Sequence, residues 1–281
     1  MGYDIKNNKM YMMPTHFGPM SGPRQGPESI KFECKDNPKS IRFSSSFLSN
    51  KDQLNALLPP NFILEGDPIV TVSLTFLKEI EWLAGRGYNT LGVAFPVKFT
   101  GKRDKAIGPF LTVLWENLTD PILTGREQLG FSKIYCELPE PIRRKDETEL
   151  TASWLGFRFL DMHFSEMKEI PPENHKQTKH KSLNDLLTGT LHYKYIPKTG
   201  NWNKADAEYA VLTPSDTPNT KVTKILTGKG TVKFNYARWA DMPTQYMIVN
   251  RLAELEQKKY YNSTITYSYG GKDLSDQRIL R

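Results

Sequence analysis

The chain has 281 residues, of which 38% are hydrophobic and 25% charged, the balance of a folded globular protein and not of a disordered one. No apolar run approaches the length of a membrane-spanning helix, so no membrane partner is expected. The net charge of +7 favours anionic ligands, but the basic clusters Lys102-Arg103-Lys105 and Arg143-Arg144-Lys145 carry acidic neighbours and lack interleaved aromatics, so nucleic acid is not expected as a partner.

The N-terminus, MGYDIKNNKMYMMP, lacks the apolar core of a secretory signal. Gly2 does not read as a myristoylation site, because Lys6 stands where that motif has Ser or Thr. Pro and Gly crowd PTHFGPMSGPRQGPE, which predicts an irregular arm over residues 1–28, packed over its own subunit or a neighbour, ahead of a single domain over 29–281. Strand patterns dominate that domain. IVTVSLTFL (69–77) alternates apolar and polar residues with period two, and SIRFSSSFL (40–48), LGVAFPVKF (91–99), FLTVLWEN (110–117) and SKIYCEL (132–138) follow the same logic. Further strands are expected at LTASWLGFRFL (150–160), GTLHYKYIP (189–197), KVTKIL (221–226), TVKFNY (231–236) and STITYSY (263–269), with TGKGT (227–231) as a hairpin turn. Helices are expected at QLNALL (53–58), behind a Ser49–Asp52 capping box, and from Pro243 through MPTQYMIVNRLAELEQKK. The fold class is therefore α+β and mostly antiparallel β, a barrel or cone-like sheet with a few peripheral helices.

The two cysteines, Cys34 and Cys136, suit reduced thiols in a cytoplasmic protein. Of the five histidines (His16, His163, His175, His180 and His192), His175 and His180 lie among lysines that would repel a cation, with no cysteine or carboxylate at ligand spacing, so no metal is expected. Lys133 interrupts the apolar stretch GREQLGFSKIY. If SKIYCEL is a strand, it shares a face with Tyr135 and Glu137, and by local pattern alone it reads as a surface lysine.

GREQLGFSK, with its Gly-Arg-Glu triplet, aromatic turn and lysine, resembles the acetoacetate decarboxylase family. LNALLPPNFILEGDPIV, YNTLGVAFPVKFTG and PFLTVLWENLTDPILTGRE are similar to the family's preceding segments, and LHYKYIP to a later one. The resemblance implies that Lys133 is the amine that forms a Schiff base with a small or medium oxo acid or ketone. It implies no organic cofactor, since the iminium itself is the electron sink, and a homo-oligomer. Decarboxylation, aldol or dehydration chemistry all proceed from that iminium, and a lysine can begin it only if desolvation or a nearby cation frees its amine.

This chain departs from the family's pattern at three places. Ile134 stands where a second lysine follows the first, and Thr90 and Ser73 stand at the positions of two glutamates. These differences point away from acetoacetate as the substrate. They also define the competing reading, a non-catalytic small-molecule-binding protein on the same barrel. Arg126 and Glu127 are expected to form an ion pair that fixes the turn before Lys133, with Tyr135 lining the same cavity by strand parity.

Overall fold

The computed structural model describes residues 4–174 and 186–281; Gly2, His175 and His180 lie outside them. Fifteen strands form one sheet. They are β1 (Lys39–Leu48), β2 (Phe62–Leu64), β3 (Ile69–Ile80), β4 (Arg86–Thr100), β5 (Lys105–Glu116), β6 (Lys133–Tyr135), β7 (Ile142–Arg144) and β8 (Glu147–Trp154). Beyond these come β9 (Phe157–Glu169), β10 (Leu187–Lys198), β11 (Asn201–Pro214), β12 (Lys221–Phe234), β13 (Lys259–Tyr260), β14 (Ser263–Tyr269) and β15 (Arg278–Leu280). The spatial order is β15-β11-β10-β5-β4-β3-β1-β14-β12-β9-β8-β7, with β13, β2 and β6 added beside β1, β4 and β5. Pairing is antiparallel except where β5 meets β10 and β6. Three short helices lie outside the sheet: α1 (Lys51–Asn55), α2 (Thr119–Thr124) and α3 (Tyr246–Ala253).

The alternation read from the strands has a physical consequence. One face of the sheet is apolar, and curling buries it against itself. Phe43 of β1 packs edge-on against Phe164 of β9 at 5.5 Å, and Trp115 of β5 stacks on Phe159 of β9 at 5.2 Å. The indole of Trp115 donates to Gln245 Oε1 at 2.7 Å, and Gln245 Nε2 donates to the Tyr135 carbonyl, so the region before α3 is tied to β5 and β6. The opposite face carries hydroxyls that pair across strands: Ser44 with Ser73 and Ser46 with Thr71, each at 2.8 Å. A second row on that face runs through Arg42, Thr75, Thr90 and Glu116, directly opposite one another on β1, β3, β4 and β5.

Several expected boundaries moved. LTASWLGFRFL is not one strand: β8 and β9 meet in a hairpin at Leu155-Gly156, where both residues have positive φ (45° and 90°), the geometry of a two-residue turn that follows the sheet's twist. TGKGT is not a turn but the middle of the continuous β12. Its glycines suit a place where backbones approach closely, since a Cβ at Gly230 would overlap the Ser263 side chain. SKIYCEL shortens to three residues of strand. The first helix is capped by Asn50, whose side chain accepts from the Asp52 and Gln53 amides, and not by Ser49; the later helix begins at Tyr246, three residues after Pro243. The polar first half of β11 hid a strand of 14 residues, because its alternating polar residues bury little.

Trp115 joins both halves of the curled sheet. Trp115→Ala is expected to cost about 3–5 kcal/mol, read as a lower urea midpoint at unchanged slope.

Candidate active site

A buried lysine organises the hydroxyl-bearing side of the sheet. After β5 the chain enters α2 and runs on into a π-helical turn, Gly125–Leu129, before β6 pairs in parallel with β5 and sets Lys133 opposite Leu114. Lys133 is 7% exposed. Its ammonium lies 2.9 Å from Glu116 Oε1 and donates to the Pro121 carbonyl at 3.0 Å, with the Phe131 ring centroid at 5.5 Å. Close packing fixes this placement, because a methyl group at Gly125 would overlap Cδ, Cε and Nζ of Lys133. Glu116 is 1% exposed, and its second oxygen, Oε2, has no hydrogen-bond partner among the described residues.

Removing both charges from water disfavours both ionised forms. Burial pushes the Lys133 amine below the ordinary lysine range; Glu116 opposes that shift, and the more distant Arg24 cation adds to it. Burial likewise pushes the Glu116 carboxyl above its ordinary range, with Lys133 opposing. Both shifts therefore lean toward the uncharged pair. The Tyr88 phenol is raised by burial and by Glu116, so it stays protonated and can only serve as a neutral hydrogen-bonding group.

Lys133 forms part of the wall of a cavity of about 140 Å³. Leu77, Tyr88, Pro121 and Gly125 face it with Lys133, and Arg24 of the N-terminal arm closes it together with Asp273 and Leu274 near the C-terminus. Arg24 donates to the Asp273 carbonyl at 3.0 Å and to Gln128 Oε1, and it forms no ion pair among the described residues. The cavity thus holds an amine and a guanidinium, with the Asp273 carboxylate acting on the guanidinium through space. Among the described residues no group of three or more His, Cys, Asp or Glu could hold a metal ion.

The other residues singled out from the sequence are spread around this centre. Arg126 does not pair with Glu127: consecutive residues of a helical turn point apart, and Arg126 instead donates to the Lys133 carbonyl at 2.8 Å, holding β6 by its backbone. The Glu127 carbonyl accepts from Lys194 Nζ. Ile134 points with Arg126 into a different cleft, shared with Phe131 and Lys194. Tyr135 is 41% exposed and does not line the lysine cavity. Thr90 sits directly opposite Glu116, whereas Ser73 shares a sheet row with Lys133 but stands three strands away, roughly 14 Å. Glu116 and Arg24 were not singled out from the sequence; a carboxylate ending the apolar run FLTVLWE was the available signal for the first.

A second layer supports the turn. His192 stacks on Phe131 at 4.2 Å, and its Nδ1–H donates to the Gly130 carbonyl at 3.0 Å, leaving Nε2 toward Thr213 Oγ1. Burial, with smaller contributions from Lys133 and Lys194, pushes the imidazole down to about 4. A base depressed in the fold binds fewer protons than the unfolded chain between about 4 and its ordinary 6.5, so stability falls as pH drops through that window. The loss attributable to His192 is about 3 kcal/mol. Denaturant unfolding at pH 7 and pH 4.5 should show a smaller pH dependence in His192→Gln than in the wild-type protein.

The chain matches the acetoacetate decarboxylase (ADC) family over residues 12–264. A comparison with curated proteins gives no match. Among solved structures, acetoacetate decarboxylase from Legionella pneumophila subsp. pneumophila str. Philadelphia 1 superposes with a TM-score of 0.61 at 15% identity, covering 88% of this chain and 86% of that one. Another acetoacetate decarboxylase gives 0.62 at 16% identity, with coverages of 87% and 89%. The enduracididine biosynthesis enzyme MppR, in complex with pyruvate, gives 0.61 at 12% identity, with coverages of 91% and 95%. At these identities the likeness shows a shared fold.

Proposed function

This chain belongs to the acetoacetate decarboxylase family, and from that premise we propose that it is a lyase whose Lys133 amine forms a Schiff base with a small oxo acid. The observation that carries the reading is a lysine buried at the wall of a cavity and held below its ordinary pKa by desolvation. A protonated lysine cannot attack a carbonyl, and burial supplies here what a second cation on the next residue would supply elsewhere. Ile134, which occupies that next position, faces a different cleft and adds no charge.

Cavity size and charge narrow the substrate. About 140 Å³ admits an acid of a few carbon atoms. A carboxylate would find the Arg24 guanidinium, which suits planar bidentate contact, while the carbonyl carbon lies against Lys133. Once formed, the iminium draws electrons from the neighbouring carbon, and loss of CO2, condensation with an aldehyde, or dehydration then follows. Relatives of the same fold include decarboxylases and a biosynthetic enzyme bound to pyruvate, which supports a carbonyl acid as ligand.

Incubation with pyruvate or acetoacetate, followed by borohydride reduction and peptide mass spectrometry, should place a secondary-amine adduct on Lys133. Lys133→Ala should carry none. Gly125→Ala, which leaves the lysine in place but drives its side chain off its packed position, should slow trapping on the order of 100-fold. Saturable binding of oxo acids without any adduct would instead favour a non-catalytic binding protein.

A further inference from the structure

The lysine is not alone at the reacting end. Glu116 Oε1 is 2.9 Å from Lys133 Nζ, both residues are buried, and Oε2 has no partner among the described residues. A carboxylate kept only as a counterion in such a place is expected to use both oxygens, since a buried unmatched acceptor costs free energy. An oxygen with no resting partner is left free to exchange a proton with a group that arrives during reaction. Among the described residues Glu116 is the carboxyl in direct contact with the lysine amine, although Glu81 and Asp273 also line the cavity. Thr90, directly opposite on β4, and Thr75 beyond it offer hydroxyls only, and the Pro121 carbonyl accepts from the lysine without titrating.

We infer that Glu116 is the acid–base partner of Lys133: it holds the lysine's proton in the resting site and delivers it to the carbonyl oxygen as that oxygen leaves as water. The inference rests on the Schiff-base reading of Lys133. Transfer of one proton from the ammonium to the carboxylate converts the charged pair to an amine and a carboxylic acid. The amine lone pair attacks the carbonyl carbon, and the C=O π electrons move to oxygen. One amine proton passes to that oxygen, the Glu116 proton follows, and the C–O bond breaks. The sum is amine, carboxylic acid and ketone giving iminium, carboxylate and water, with no net change of charge in the site. The iminium is thus born beside its counterion, and the reverse sequence regenerates both groups when water releases the product. The raised carboxyl and lowered amine agree with this resting state.

Glu116→Gln distinguishes this role from that of a counterion, because the two predict opposite signs. Glutamine keeps the shape and a hydrogen bond but carries no transferable proton. If Glu116 only holds the lysine charged, its removal frees the amine and pyruvate is trapped on Lys133 as fast or faster. If Glu116 is the acid–base partner, borohydride trapping of pyruvate slows by at least about 100-fold. An equal or faster rate in a folded Glu116→Gln protein, with a Lys133 adduct in the wild type, overturns the inference and leaves the Schiff-base reading standing. Absence of a wild-type adduct removes both. Should Glu116→Gln fail to fold, infrared difference spectroscopy on the wild-type protein decides. A protonated-carboxyl band lost on adduct formation supports the inference, and no such loss contradicts it.

Discussion

Two charges of opposite sign, Lys133 and Glu116, have been taken out of water together, and the rest of the site follows from the cost of doing so. Each ion loses several kcal/mol of hydration. A single contact at 2.9 Å recovers part of that, and neutralising the pair by moving one proton avoids much of the remainder. The surrounding architecture keeps water away. The π-helical turn of the GREQL segment wraps the lysine, Gly125 leaves room for its stem, Phe131 covers it, and His192 anchors the covering ring through Gly130. Packing thereby pushes the amine below the ordinary lysine range, with no cation on the adjacent residue.

The same packing explains why chemistry is concentrated on one side of the sheet. The apolar face closes on itself through Phe43, Trp115, Phe159 and Phe164, and its buried hydroxyls, Ser45 and Ser263, are hydrogen-bonded to each other. The other face keeps its hydroxyls and the buried Glu116 carboxylate. There the chain's two ends return: Arg24 from the N-terminal arm and Asp273 near the C-terminus close the cavity above Lys133. A site assembled from termini and a turn, on a rigid sheet, can change its ligand contacts with little effect on the core.

Much of the sheet was legible from period-two alternation, because half-buried antiparallel strands must alternate. Where that rule weakened, so did the reading. β11 is largely exposed along its first half, β12 runs through two glycines that resemble a turn, and LTASWLGFRFL hides a hairpin inside an apolar run. Lys133 stood out only through its spacing from Gly-Arg-Glu. Its partner Glu116 belonged to a correctly expected strand, but nothing local says that β6 will lie parallel to β5 and set the lysine beside it. Arg24 is more distant still, since an irregular arm carries no periodicity from which a contact could be read. The expected Arg126–Glu127 pair failed for a local reason: neighbours on a helical turn diverge, and the arginine serves the Lys133 backbone instead.

Burial holds the Lys133 amine below the ordinary lysine range, and its titration can be measured directly. Competitive acetylation across pH, quantified lysine by lysine by peptide mass spectrometry, follows each amine separately. Lys133 should gain reactivity at a pH well below the ordinary lysine value of about 10.4, and an oxo acid such as pyruvate should protect it. Titration together with the exposed lysines, or protection by burial alone with no reactivity until the protein unfolds, would contradict the account.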